Sequence, residues 1–325
     1  MQVSCRVLLM AFAGGLTTVL SACSSERAKV IELPGNRAYP ESIAAAADGT
    51  LYVSSLASGG VWRIKPNSTK AAPWIALGAF DTRSTFGVLV DERKGLLWVC
   101  SNDMSGRGVP GPGAALGSNL KAFDLASGAG KVSVPLAGSG NLCNDMAVGG
   151  DGSIFVTNSL KPQILRLKPG ASTFEVFVES PTFEQPKEGA GLDGIAFGGD
   201  GNLYVNNFTS GGFYRVDVED GAAGAVTRLS TSRPLKFPDG LRPVGDGSFM
   251  MAEGGGTVDH VTINGDDVEI KTLKDGLAGP TGVALVGETL WATEGQLPHL
   301  FDPKTGPPAL PFRVVGVPFP LRTVP

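Results

Sequence analysis

Histidine is nearly absent: only His260 and His299 occur in the 325 residues. A zinc centre built on several imidazoles is therefore disfavoured. Charge is sparse as well. Charged residues make up 18% of the chain, 31 acidic against 27 basic, and no block of one sign occurs. Nothing in that pattern offers a nucleic-acid-binding surface, and no nucleic acid is expected as a partner. Segments with helical periodicity are few. Cysteine is limited to four positions, too few for a disulfide-built scaffold in a chain of this length. What is plentiful is glycine, at 46, and proline, at 23, without a collagen period. That composition fits many short strands joined by tight turns.

The one long apolar run lies at the N-terminus. Arg6 supplies a positive charge, Val7 to Leu20 is apolar with small residues, and Leu20-Ser21-Ala22-Cys23 follows. A run this short before a small-residue cleavage site reads as an export signal rather than a membrane span. The Leu-Ser-Ala-Cys ending resembles a bacterial lipobox, which implies cleavage before Cys23 and lipidation of that residue. Ser24 in the next position implies the periplasmic side of the outer membrane. The expected division is a signal peptide over 1–22, a tether over 23–30 and one folded domain over 31–325. The lipid would be the only membrane contact, and a monomer is expected. Cys5 leaves with the signal. Cys100 and Cys143 then remain in an oxidising compartment, where a disulfide between them is one of two readings. The alternative is two buried free thiols.

Six short strands open on a similar motif: Glu41-Ser42-Ile43, Phe86-Gly87-Val88, Asn144-Asp145-Met146, Asp193-Gly194-Ile195, Asp239-Gly240-Leu241 and Thr281-Gly282-Val283. Their middle residues are spaced by 45, 58, 49, 46 and 42. Self-similarity at that period marks a radial or stacked repeat. Asp48-Gly49, Asp151-Gly152, Asp200-Gly201 and Asp246-Gly247 follow four of these strands, and each predicts a hairpin with a type I′ turn. Return strands follow, such as Leu51-Tyr52-Val53 and Leu203-Tyr204-Val205. Third and fourth strands complete most units. Six such units predict an all-β, six-bladed β-propeller with four-stranded blades around a central channel. Val30 to Leu33 would close the ring by pairing with the last blade. The longest spacing holds an insertion, Ser105 to Ser118, rich in glycine and proline.

In a propeller the first strand of each blade lines the channel, so equivalent residues form a ring. Glu41, Asn144, Asp193 and Asp239 are thereby expected to converge, and an all-oxygen set suits a hard divalent cation, calcium first, with zinc, manganese or magnesium as alternatives. Singly, Asp-Gly and Asn-Asp are ordinary turn formers. Their shared register in the repeat is what points to a site. The Ser105–Ser118 and Ser180–Ala190 segments are expected to overhang it. Asn102, Asp103, Asn158, Asn206, Glu253 and Glu294 follow second strands and are expected at its mouth.

Tyr39-Pro40-Glu41-Ser42, Asn144-Asp145, Leu192-Asp193-Gly194-Ile195-Ala196-Phe197 and Pro238-Asp239-Gly240-Leu241, in this order, resemble the SMP-30/gluconolactonase family, within the wider group of paraoxonase-type and strictosidine-synthase-like propellers. The resemblance spans most of residues 38–300. It implies a metal held by Glu41, by the residue at position 193 and by Asp239. It also gives Asn144 a role toward substrate or as a further ligand. Two positions depart from the pattern. Asp193 stands where the family carries Asn, which adds a negative charge. Leu142 stands where sugar lactonases carry Arg, which removes a contact to a polyhydroxylated lactone. The histidine pair of paraoxonase-type enzymes has no counterpart.

The function expected from these features is metal-dependent hydrolysis of a small-molecule lactone or related ester, with Asp239 or Asp193 as general base and Asn144 orienting substrate. The competing expectation is a non-catalytic envelope propeller that binds a protein, glycan or small ligand, with the cation as a structural plug.

Overall fold

The computed structural model describes residues 29–319. The expected signal peptide, the lipidation site Cys23 and most of the tether lie outside the described residues. Six antiparallel sheets surround one axis. Blade one comprises Pro40–Ala45, Leu51–Ser55, Val61–Ile64 and Ala71–Ile75. Blades two, three and four repeat this order from Ser84–Asp91, Cys143–Val148 and Leu192–Phe197. Blade five begins at Pro238–Pro243, and a two-residue strand, Ser230–Thr231, runs parallel to its outer edge. Blade six takes three strands from the C-terminal end and its fourth, Lys29–Glu32, from the start of the described chain. Val30 pairs with Val315 and Ile31 with Val314. Pairing strands from the two ends of the described residues closes the ring, and Lys29–Glu32 covers the outer edge of Arg313–Pro318.

The inner strands are buried on both faces, because each blade is covered by its two neighbours. Leu51–Ser55, Ile154–Asn158 and Leu203–Asn207 are buried throughout. Aromatic residues early in the return strands pack against the neighbouring blade. Phe155 of blade three meets Phe197 of blade four edge-on at 5.2 Å, and Tyr204 of blade four meets Phe249 of blade five at 5.1 Å. Such pairs add about 0.5–1.5 kcal/mol beyond area burial, and truncating Phe155 to Ala should cost about 3–5 kcal/mol.

Each of the six opening motifs is a β-bulge. In blade one, Pro40 pairs with Ser55 and Ile43 with Val53, so Glu41 and Ser42 together face Ser54. The same two-against-one register occurs at 86–87, 144–145, 193–194, 239–240 and 281–282. In four blades the opposing residue accepts the N–H of the second bulge residue: Ser54, Thr157, Asn206 and Thr293, at 2.8–3.0 Å. A bulge leaves an extra backbone donor, and these side chains satisfy it. Glycine at the second position lets the next blade come close. A Cβ on Gly194 would lie 2.3 Å from the Asp239 carbonyl oxygen.

The hairpin turns differ from the expectation. Only the glycine of each Asp-Gly pair has positive φ, as at Gly49 and Gly152. Ala46 N–H bonds Thr50 O and Gly49 N–H bonds Ala46 O, which closes a three-residue loop rather than a two-residue type I′ turn. The aspartate carboxylate takes the N–H two residues on, so the pair works as an Asx cap followed by a left-handed glycine.

Cys100 and Cys143 are joined as a disulfide with Cα atoms 5.3 Å apart, tying blade two to blade three. Closing a loop of that length contributes about 4 kcal/mol in the chain-entropy account.

Candidate functional site

The first residue of every bulge lines one cavity of about 410 Å³ at the mouth of the channel: Glu41, Phe86, Asn144, Asp193, Asp239 and Thr281. The bulge is what aims them there, since an unbulged strand would carry the alternation past the axis. The entry is shaped in three blades by a left-handed residue before proline: Tyr39-Pro40, Phe237-Pro238 and Gly279-Pro280. Their carbonyls accept N–H groups from Leu56, Gly254 and Gly295, which fixes the angle at which the strand begins.

The four predicted oxygen-bearing residues come together and are buried, none more than 4% exposed. Asn144 Nδ2 donates to Asp193 Oδ2 and to Ser159 Oγ, both at 2.8 Å. Asp193 and Asp239 are close enough for each to shift the other's titration. Asp239 Oδ1 also accepts the Gly240 N–H at 2.9 Å, in the blade where Ala252 offers the bulge no acceptor. Three of their oxygens have no hydrogen-bond partner among the described residues: Glu41 Oε2, Asn144 Oδ1 and Asp193 Oδ1. Burial, reinforced by Asp145, pushes the Asp193 carboxyl up to about 7. Burial and the charges of Asp193 and Glu41 push Asp239 well above the usual carboxylate range. Glu41 rises for the same reasons, burial first and then Asp193 and Asp145, with Arg242 opposing.

Below this ring lies a feature the sequence reading missed. Arg242, three residues after Asp239, reaches across the axis. Its guanidinium pairs with both oxygens of Asp145 in blade three and contacts Ser42 Oγ of blade one and Val88 O of blade two, each at 3.3 Å. The signal was present in the motif itself. Ser42 and Asp145 fill the bulge position that is glycine in the other four blades, and these are the two side chains Arg242 meets. One partly buried guanidinium thus faces four carboxylates, Glu41, Asp145, Asp193 and Asp239.

Among the described residues no group of three or more His, Cys, Asp or Glu side chains stands as a ready-made metal cage. The set here is looser, three carboxylates and an amide, and its fit to a cation rests on the partnerless oxygens and the excess of negative charge. An all-oxygen donor set of this kind suits calcium rather than a softer ion.

The walls are apolar: Leu56, Phe86, Leu142, Leu160, Phe208 and Phe237 contribute. Both expected overhanging segments reach the cavity, through Arg107 and through Gly189 and Ala190. The residues expected at the mouth after the second strands are not there. Asn102 bonds both backbone groups of Cys143, and Asn158 accepts the Leu142 N–H. Asn206 ties Gly194 to Asp239 O. Glu253 and Glu294 are buried and accept N–H groups from Lys236 and Ala278. Asp103 caps Ser105 and pairs with Arg83. All six brace backbone, because the strand ends they occupy abut the next blade. Phe208, Phe237 and Phe301 were missed: Phe208 follows a second strand, Phe237 precedes a first strand, and Phe301 ends the short helix Pro298–Phe301.

A family model described as strictosidine synthase-like, N-terminal, matches residues 26–64, which includes all of blade one's first three strands. No curated protein matches the chain. Among solved structures, a gluconolactonase from Xanthomonas campestris is 18% identical with a TM-score of 0.65, covering 90% of both chains. A luciferin-regenerating enzyme is 14% identical with a TM-score of 0.66, over 90% of this chain and 95% of that one. Virginiamycin B lyase from Staphylococcus aureus is 16% identical with a TM-score of 0.59, over 88% and 83%. Their activities differ, and at these identities the likeness shows the fold alone.

Proposed function

We propose that the protein hydrolyses a lactone or related ester with the help of a bound divalent cation, calcium by first choice. The observation that carries this reading is the trio of buried, partnerless oxygens on Glu41, Asn144 and Asp193 at the floor of an apolar-walled cavity. Each would cost about 1–3 kcal/mol if left unsatisfied. Glu41, Asn144, Asp193 and Asp239 would hold the cation. When bound, it supplies positive charge that polarises an ester carbonyl at the floor.

The chain's own residues do the rest. The Asp193–Asp239 pair takes the proton of the attacking water. The resulting hydroxide adds to the carbonyl carbon, the acyl C–O bond breaks, and the same proton passes to the leaving oxygen. A lactone yields its hydroxy acid, an ester its acid and alcohol. Asn144 has both N–H groups committed, so it positions Asp193 and offers only Oδ1 to an occupant. Leu142 and the phenylalanines favour an apolar substrate over a sugar lactone.

The test is a panel of lactones and esters with purified protein, after chelation and again after adding calcium. Hydrolysis that survives both chelation and Asp239→Asn would sink the proposal. Calcium binding without turnover of any substrate would favour a ligand-binding propeller instead.

A further inference from the structure

Among the described residues Arg107 is the only basic side chain on the cavity lining, where Glu41, Asp193 and Asp239 are the acidic ones. It is exposed, on a single 3-10 turn spanning Ser105–Arg107, while the carboxylates lie buried at the floor. Its guanidinium has no hydrogen bond or ion pair among the described residues. That is unlike Arg83, Arg166, Arg215, Arg228, Arg233, Arg242 and Arg313, which are all ion-paired.

An unpaired arginine on a loose loop would mean little. This loop is built. Met104 and Val109 bridge its base and are 5% and 1% exposed. Arg83 Nη1 donates to Gly113 O at 3.0 Å, and Asp103 N–H bonds Gly117 O at 2.7 Å. A Cβ on Gly113 would lie 2.3 Å from the Thr82 carbonyl oxygen, so the segment is pressed against blade two. The turn bearing Arg107 is therefore held at the rim.

The cavity is polarised end to end: acidic floor, apolar walls, one cation at the opening. A carboxylate on an entering molecule meets a cationic side chain at the rim. We propose that Arg107 selects substrates with an apolar body and a carboxylate at the end remote from the scissile bond, paired with its guanidinium. As a statement about substrates this rests on the hydrolase reading of the same cavity; as a statement about binding it does not.

The experiment separates the two. Phenylbutyrate and phenylbutanol share a body and differ in the terminal group. Calorimetric titration into the calcium-loaded protein should show the acid binding at least about tenfold more tightly. Arg107→Gln should abolish that preference and Arg107→Lys keep part of it. Equal binding of acid and alcohol, or a preference that persists in Arg107→Gln, overturns the proposal. The second outcome would place the carboxylate at the floor cation, and the preference would then vanish on chelation instead. In hydrolysis assays, an ester bearing a distal carboxylate should show a raised KM and an unchanged kcat in Arg107→Gln, while its neutral analogue is unchanged. Absence of any hydrolysis, with the acid preference intact, would defeat the hydrolase reading and leave this one standing.

Discussion

The first strands carry carboxylates at both ends, and the two sets have opposite fates. At the hairpin end, Asp48, Asp151, Asp200 and Asp246 recur with the repeat, and each accepts the N–H two residues on. Hydrogen bonds hold Asp151 and Asp246 below the usual carboxylate range: the Ser153 N–H comes first for Asp151, the Ser248 hydroxyl for Asp246. At the bulge end, Glu41, Asp193 and Asp239 are raised by burial and by one another. Residue type and periodicity are alike. The difference is whether the backbone offers donors. A turn exposes N–H groups that a carboxylate can cap, whereas the bulge donors are mostly taken by the opposing strand. The bulge carboxylates are left with unspent acceptors, which is the condition for holding something else.

The sharpest way to break this comparison is to neutralise one carboxylate of each set. Asp193→Asn should lower kcat/KM by about 10²–10⁴-fold, the usual worth of a general base. Asp200→Asn should change it by no more than about twofold, because its contacts are confined to the turn and Tyr204. Equal losses would erase the distinction.

Stability against pH should also divide the sets. Between the ordinary aspartate value of 3.8 and about 7, folded Asp193 keeps a proton that the unfolded chain has lost. The metal-free protein should therefore lose stability as pH rises through that window. A cation favours the ionised form, so calcium should raise Tm more at about pH 8 than at about pH 5. Thermal melts with chelator and with calcium read this directly. A metal-free Tm with the same slope in Asp193→Asn as in the parent would count against it.

A smaller effect concerns the braces. Asn206→Ala removes the partners of Gly194 N–H and Asp239 O at once, and should cost about 1–3 kcal/mol in urea unfolding. It should also reduce calcium affinity, because Asp239 loses its backbone anchor. The smallest change is Asp151→Ala, which deletes one turn cap and should cost about 0.5–1.5 kcal/mol with calcium binding unchanged.

The repeat was legible because its physics is local. Bulge, return strand and turn recur with a period, and the strand that closes the ring was visible as Val30 to Leu33. The convergence of Glu41, Asn144, Asp193 and Asp239 followed from register alone. The turn type was misread because an Asp-Gly pair serves a three-residue loop as well as a two-residue one. The mouth residues were misread because a polar side chain at a strand end looks the same whether it faces solvent or staples the next blade. Asn206 shows this best, lying 0% exposed.

By itself, then, the sequence determined how many blades there are, where each begins and which oxygens share a ring, since a repeat carries its register in its spacing. Tertiary structure alone decided how those oxygens are spent. Arg242 crosses the axis to Asp145, Asn144 commits its amide to Asp193 and Ser159, and Arg107 is left unpaired at the rim. These outcomes depend on contacts between blades that lie up to 200 residues apart, and no local pattern encodes such pairings because only closure of the ring brings the partners together.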